Sequence, residues 1–414
     1  MMRRAITLAL GCVLSAHALA ETVLIRGARV HTVDAAGTLD DTDVLVRDGK
    51  IAQIGKALAA PEARIVEAKG RPLTPGLFGG LTALGLEDVS AEVGTVDHAY
   101  TPGALAPPQP MGLRPEFDIG YAYNPASMVI PVQVAEGITF TMLAPSAAPG
   151  GSLIGGQGGL ATLDGRSIDL LPTSKSLFVA LGSGAAALTG NSRAAQYMLL
   201  DQAIRETRGA LFEGERLLTV AGRETMAKYL AGGRVVFYVD RAIDIRRALA
   251  FAKKNGLKPV IAGGVEAWQV ASELAAAKVP VLVDPLVNLP GNFDQFGATL
   301  ENAARLQQAG VTVAFSMSGD ASHMARKLRQ TAGNAVANGL PWDAGLAAIT
   351  ANPATIFGAT DRGRIAVGQR ADLVLWSGDP LDVTSLAEQV WIGGDAQSMV
   401  SRQTLLRDRY RPQP

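Results

Sequence analysis

The run Pro259-Val260-Ile261-Ala262, followed by an amphipathic stretch from Val265 to Lys278 and at once by Pro280-Val281-Leu282-Val283, decides the fold class. Two short apolar runs joined by one helix-length segment form a strand–helix–strand unit, which calls for parallel strands. The same grammar extends in both directions. Upstream, Val235 to Val239 leads into a helix over Asp244 to Asn255, and Gly137 to Leu143 and Leu177 to Leu181 read as further strands. Downstream, a helix from Leu300 to Ala309 stops at Gly310, ahead of the strand Val311 to Ser316. Residues 74–358, written this way, fit one (β/α)8 TIM barrel, which takes ~250 residues.

The flanks follow another pattern. Residues 21–73 carry short strands punctuated by turns such as Asp48-Gly49 and Pro61. Residues 359–414 return to strands at Ala371 to Trp376 and Val390 to Ile392, with Gly393-Gly394 as a turn. The two flanks are expected to be halves of one composite β-sandwich. The first twenty residues stand apart: Met1-Met2-Arg3-Arg4 is basic, Ala5 to Ala16 is mostly apolar, and Ala18-Leu19-Ala20 is a small-x-small cleavage site. Residues 1–20 therefore read as a cleaved signal peptide and the protein as exported and periplasmic. Gly11-Cys12 offers a lipoprotein reading, against which stand Leu10 and the apolar run beyond the cysteine.

Composition narrows the function. Lys plus Arg and Asp plus Glu number 38 each, so no basic field exists to collect nucleic acid or an anionic membrane. No later stretch approaches ~18 uninterrupted apolar residues, so no stable membrane span is expected. Cleavage would remove His17 and Cys12, the only cysteine, leaving His31, His98 and His323 and excluding disulfides and thiolate metal sites. Three histidines cannot supply a site built from four. No Ser-His-Asp spacing and no Gly-x-Ser-x-Gly elbow is visible, which gives a serine-hydrolase reading no support at this level.

Two segments carry a family likeness. Leu73-Thr74-Pro75-Gly76-Leu77-Phe78 stands at the entry to the barrel. Gly363-Arg364-Ile365-Ala366-Val367-Gly368-Gln369-Arg370-Ala371-Asp372-Leu373-Val374-Leu375, preceded by Asn352-Pro353-Ala354, stands at its exit. In order and spacing both resemble the amidohydrolase superfamily, over nearly the whole mature chain. Ala135-Glu136-Gly137-Ile138-Thr139 and the glycine-rich Gly150 to Gly165 segment look like those of exported, imidazolonepropionase-like members. The resemblance implies hydrolysis of non-peptide C–N bonds by one or two divalent metals, usually zinc, which activate water and polarise the carbonyl.

The sequence departs from that pattern at the metal. The positions where the resemblance implies histidine ligands are Leu81, Ala83, Tyr238 and Gly263, and Lys175 is the nearest candidate for a carbamylated lysine. The expectation is therefore a protein without the metal cofactor, a pseudoenzyme that binds a small molecule or supports an intact relative, as an oligomer with itself or with that relative. Restoring histidine at the four positions is expected to rebuild most of a metal site. The mouth is expected to be roomier and more apolar than that of a metal enzyme. The alternative is an active hydrolase using Asp320 with atypical ligands such as Asp284, Glu266 or His98.

Asp320, after the last strand, falls on the face where barrel enzymes place chemistry, and the resemblance implies that it takes the proton of water. Its plainer role is to cap the helix expected from about Ser322 to Ala337. His323 is offered as an acid–base or binding group beside it. Gly150 to Gly159 is expected as a loop at the mouth, with Gly156, Gly158 and Gln157 facing a ligand, or simply shaping the opening. Tyr238, Arg241 and Glu266 follow strands and are expected to contact substrate, with Arg241 paired to Asp240. His98 lies in a proline-rich loop and could reach over the site, whereas His31 is expected to be structural.

Overall fold

The computed structural model describes residues 21–99, 112–147, 151–210, 216–319 and 321–411. Asp320 and the leader Met1–Ala20 lie outside the described residues, as do residues 100–111 of the proline-rich loop.

The first sheet joins both ends of the chain. Its N-terminal strands are β1 (Val23–His31), β2 (Thr38–Arg47), β3 (Lys50–Gly55), β4 (Arg64–Glu67) and β5 (Pro72–Pro75). Eight strands later in the chain are the barrel's: β6 (Leu77–Thr82), β7 (Ile138–Leu143), β8 (Ile154–Thr162), β9 (Ser176–Ala180), β10 (Arg234–Val239), β11 (Lys258–Gly263), β12 (Val281–Val283) and β13 (Val313–Phe315). The strands β14 (Leu373–Trp376), β15 (Ala387–Ile392) and β16 (Asp395–Ala396) then return to the first sheet, whose order is β16-β15-β14-β5-β1-β2-β3, with β4 paired to β1. β5 is the seam, parallel to β1 and antiparallel to β14.

Local chemistry explains the seam. Asp48 and Gly49 both have positive φ, the two-residue hairpin turn that an Asp-Gly pair favours. A Cβ on Gly49 would stand 2.8 Å from the Gly393 carbonyl oxygen, so the turn of one half packs directly on the turn of the other. Trp376 is fully buried and donates its indole N–H to Thr74 Oγ1 at 2.9 Å. Gly137, at φ +95°, lies flat against that indole, where a Cβ would come within 2.9 Å of the ring. The entry glycine Gly76 has no room for a Cβ because the Thr139 side chain occupies the space.

The barrel sheet runs β6 to β13 in chain order, and seven of its strands point the same way. β8 is antiparallel to both neighbours, a departure from the all-parallel expectation. Of the Gly150–Gly159 segment, Gly150 lies outside the described residues and Ile154 to Gly159 is strand and not loop. Its glycines make that possible: a Cβ on Gly156 would meet the Phe117 carbonyl oxygen at 2.5 Å, and one on Gly158 would overlap the Leu143 carbonyl. Between β13 and β6, side chains stand in for a ladder. Ser316 Oγ accepts from the Leu81 N–H and Ser322 Oγ from the Ala83 N–H, each at 2.9 Å. Fully buried Phe78, Phe140, Phe178, Phe237, Phe315 and Phe357 belong to one continuous barrel core. No helix among the described residues is long and apolar enough to cross a membrane.

Candidate active site at the barrel mouth

The C-terminal ends of the parallel strands surround a cavity of about 710 Å³. That volume suits a small ligand, for which pockets run ~300–1,000 Å³. Leu81, Ala83, Tyr238 and Gly263, the positions at which the resemblance implies ligands, all line it. Leu81 and Ala83 have no lone pair to offer, and Gly263 has no side chain. Among the described residues, no three His, Cys, Asp or Glu side chains converge in a way that could hold a metal ion. Gly263 has φ +88°, and a Cβ there would stand 2.5 Å from Asp240 Oδ1. Histidine at 263 therefore cannot be added without moving Asp240, which corrects the expectation of a simple four-histidine restoration.

The lining is acidic as well as apolar. Glu87, Asp240, Asp284 and Asp294 face the cavity, and no described Lys or Arg lines it. Asp240 accepts from Gln295 Nε2 at 2.9 Å and weakly from the Val265 N–H. Burial pushes its carboxyl above the ordinary range, and the nearby charges of Asp294 and Glu266 add to this, outweighing both hydrogen bonds. Asp294 behaves oppositely. Burial raises it, but hydrogen bonds from Ser183 and the charges of Arg193 and Arg241 hold it below the ordinary range. Asp284 is occupied by backbone, accepting from the N–H groups of Leu286 at 3.0 Å and Ser318 at 2.8 Å. Tyr238, whose phenol is pushed up by burial, stands tilted against Phe178.

Several residues expected at the ligand lie elsewhere. Gly156, Gly158 and Gln157 sit on β8 away from the cavity lining, and the Gln157 side chain accepts from the Tyr229 hydroxyl at 3.0 Å. Arg241 pairs with Asp244, not Asp240, through two N–H groups at 2.9 and 3.1 Å. Glu266 is a backbone clip, accepting from the Ala242 N–H at 3.0 Å and the Gly297 N–H at 2.9 Å. His323 is not part of the lining; its Nε2 is 3.4 Å from the Asp88 carbonyl oxygen, and its own carbonyl accepts from Gln133 and Arg326. Lys175 precedes β9, at the opposite end of the barrel, and is ion-paired with Asp118. His31 packs on Trp342, with ring centroids 4.7 Å apart.

One group at the mouth escaped the sequence. His98 Nδ1 is 3.1 Å from Ser146 Oγ, and His98 Nε2 is 3.3 Å from Glu87 Oε2. All three line the cavity. They come from three separate loop segments, with 48 positions between His98 and Ser146 alone, so no spacing motif reveals them.

A barrel with its pocket on the carboxyl ends of the strands, joined to a sheet shared by both chain ends, defines the class. The description "Amidohydrolase family" matches residues 321–396. The amidohydrolase tasK of Hapsidospora irregularis is 48% identical over 60 residues, a stretch covering 14% of this chain and 6% of that protein. The solved amidohydrolase from Thermotoga maritima MSB8 is 27% identical, with a TM-score of 0.77 over 90% of this chain and 99% of that one. The N-isopropylammelide isopropylaminohydrolase from Burkholderia multivorans ATCC 17616 is 16% identical, with a TM-score of 0.51 over 91% and 98%. In the matched C-terminal segment and in fold, the chain is similar to members of the amidohydrolase superfamily.

Proposed function

We propose that this protein is an exported amidohydrolase relative that holds a small carbonyl compound in the barrel mouth without a metal. The observation that carries this reading is the lining itself: Leu81, Ala83 and Gly263 where the family's imidazoles would stand, beside four carboxylates and no described cation. Like charges repel, so the acidic lining disfavours anionic ligands. It fits a neutral or cationic molecule, its apolar part against Leu81, Ala144 and Leu282 and its polar part toward Asp240 and Tyr238. Export rests on the basic, apolar and small-residue pattern of Met1 to Ala20.

The rival reading is metal-assisted hydrolysis of C–N bonds with Asp320 as base and Asp284, Glu266 or His98 as ligands. Against it, Asp284 and Glu266 already have backbone partners, and His98 has Ser146 and Glu87. The test is thermal-shift titration with neutral cyclic amides, N-acyl amino acid amides and lactones, with and without a chelator. Chelator-independent stabilisation that weakens in Tyr238→Ala supports the proposal. Stabilisation that requires added zinc overturns it.

A further inference from the structure

We propose that Ser146, His98 and Glu87 form a nucleophile, a general base and a positioning residue for metal-independent hydrolysis of small carboxylic esters at the barrel mouth. This rests on the reading of the cavity as a small-molecule site and goes beyond ligand binding. A carboxylate only accepts hydrogen bonds, so Glu87 Oε2 at 3.3 Å from Nε2 calls for the proton on Nε2. The lone pair of neutral His98 is then on Nδ1, facing the Ser146 hydroxyl at 3.1 Å. Nucleophile, base and orienting acid stand in the required order, each within reach of the next.

The backbone holds the trio in place. The Ser146 N–H donates to the His98 carbonyl at 3.1 Å, so nucleophile and base sit on hydrogen-bonded segments. The Asp97 N–H donates to the Leu86 carbonyl at 2.8 Å, and Glu87 forms a bridge with Val96, which fixes base against acid. The Ala144 N–H donates to the Thr82 carbonyl at 2.9 Å, tying the serine loop to the end of β6. The His98 and Glu87 side chains are 24% and 13% exposed, sheltered yet open to the cavity.

The chemistry balances with water as the only co-reactant. Ser146 Oγ attacks the ester carbonyl carbon while its proton passes to His98 Nδ1, and Glu87 stabilises the imidazolium. Collapse of the tetrahedral intermediate breaks the bond to the alcohol oxygen, which takes the proton from Nδ1. Water, deprotonated by the same nitrogen, then cleaves the acyl-serine to release the acid and regenerate Ser146. The acidic lining favours uncharged esters over anionic ones.

The experiment uses the mature protein with p-nitrophenyl butyrate as substrate and a fluorophosphonate probe, followed by peptide mass mapping. The account expects hydrolysis unaffected by chelator and a probe adduct on Ser146. Ser146→Ala, checked for an unchanged melting temperature, should lose the adduct and at least ~10²-fold in rate, the usual scale of acid–base assistance. Glu87→Gln should lower kcat with little change in KM and displace the pH profile, which a purely structural role would not do. A folded wild type that gives no Ser146 adduct and hydrolyses no faster than Ser146→Ala overturns the triad, even if neutral ligands still bind. Serine-dependent but zinc-requiring hydrolysis would overturn the metal-independent mechanism together with the metal-free reading of the cavity.

Discussion

At the residue scale, Gly263 and Asp240 limit each other. The positive φ of Gly263 is a conformation that other residues enter at a cost of about 1–3 kcal/mol. The nearby Asp240 oxygen adds a steric term. Gly263→Ala should therefore lower unfolding free energy by at least about 1 kcal/mol in urea titration, and an unchanged midpoint would contradict the geometry. Asp240 itself gives a pH signature. Unfolded, it ionises near its ordinary 3.8; folded, burial raises it. The folded state thus holds that proton more tightly. Its contribution to stability is largest at acid pH and is lost as pH rises from the ordinary value through the folded one. Asp240→Asn has no such titration, so the stability of the wild type relative to the variant should fall as pH rises above the ordinary 3.8. A constant difference would show that Asp240 titrates normally. That Leu81 and Ala83 stand at the mouth was legible because both follow a recognisable entry motif. The Ser146–His98–Glu87 group was not, since its members meet only through loop backbone bonds that leave no period in the chain.

At the element scale, glycines decide which segments can be strands. Gly150 to Gly159 reads as a loop because glycine usually breaks strands, yet here it lets β8 run against the Phe117 and Leu143 backbones where no Cβ fits. The parallel units from β9 to β13 were legible from apolar runs alternating with helices; the meander β7-β8-β9 has no intervening helix to announce it. The entry element gives a sharper prediction. Gly76→Ala would drive a methyl into Thr139, at a typical overpacking cost of about 1–3 kcal/mol. Thr139→Ala removes two of the three crowding atoms, so the double variant should be destabilised by less than the sum of the two single changes. Strict additivity by denaturant unfolding would mean that the two residues do not crowd each other.

At the scale of the whole molecule, one buried cation ties barrel to sheet. Arg329, on the helix Leu328–Ala337, is 2% exposed and donates to the carbonyls of Asp382 at 2.6 Å and Ser385 at 2.7 Å. Its guanidinium lies 5.3 Å from the centre of the Trp376 ring. Burial lowers its pKa but leaves it a cation, so its carbonyl contacts are charge-assisted. Arg329→Ala would orphan those carbonyls and should cost about 2–4 kcal/mol in urea unfolding, whereas a loss below about 0.5 kcal/mol, the range of ordinary surface changes, would contradict this role. The two-sheet organisation was legible from the split strands at either end of the chain, but the Arg329 tie was not, because a lone arginine in a helix looks solvated.

The central claim is that, at the barrel mouth, aliphatic side chains and glycine take the places of the family's imidazoles. Elemental analysis of the purified mature protein after incubation with excess zinc and desalting tests it most directly. The account predicts well under one tightly held metal per chain and a melting temperature unchanged by chelator. Near-stoichiometric zinc that survives desalting, with a melting temperature that drops on its removal, would contradict it.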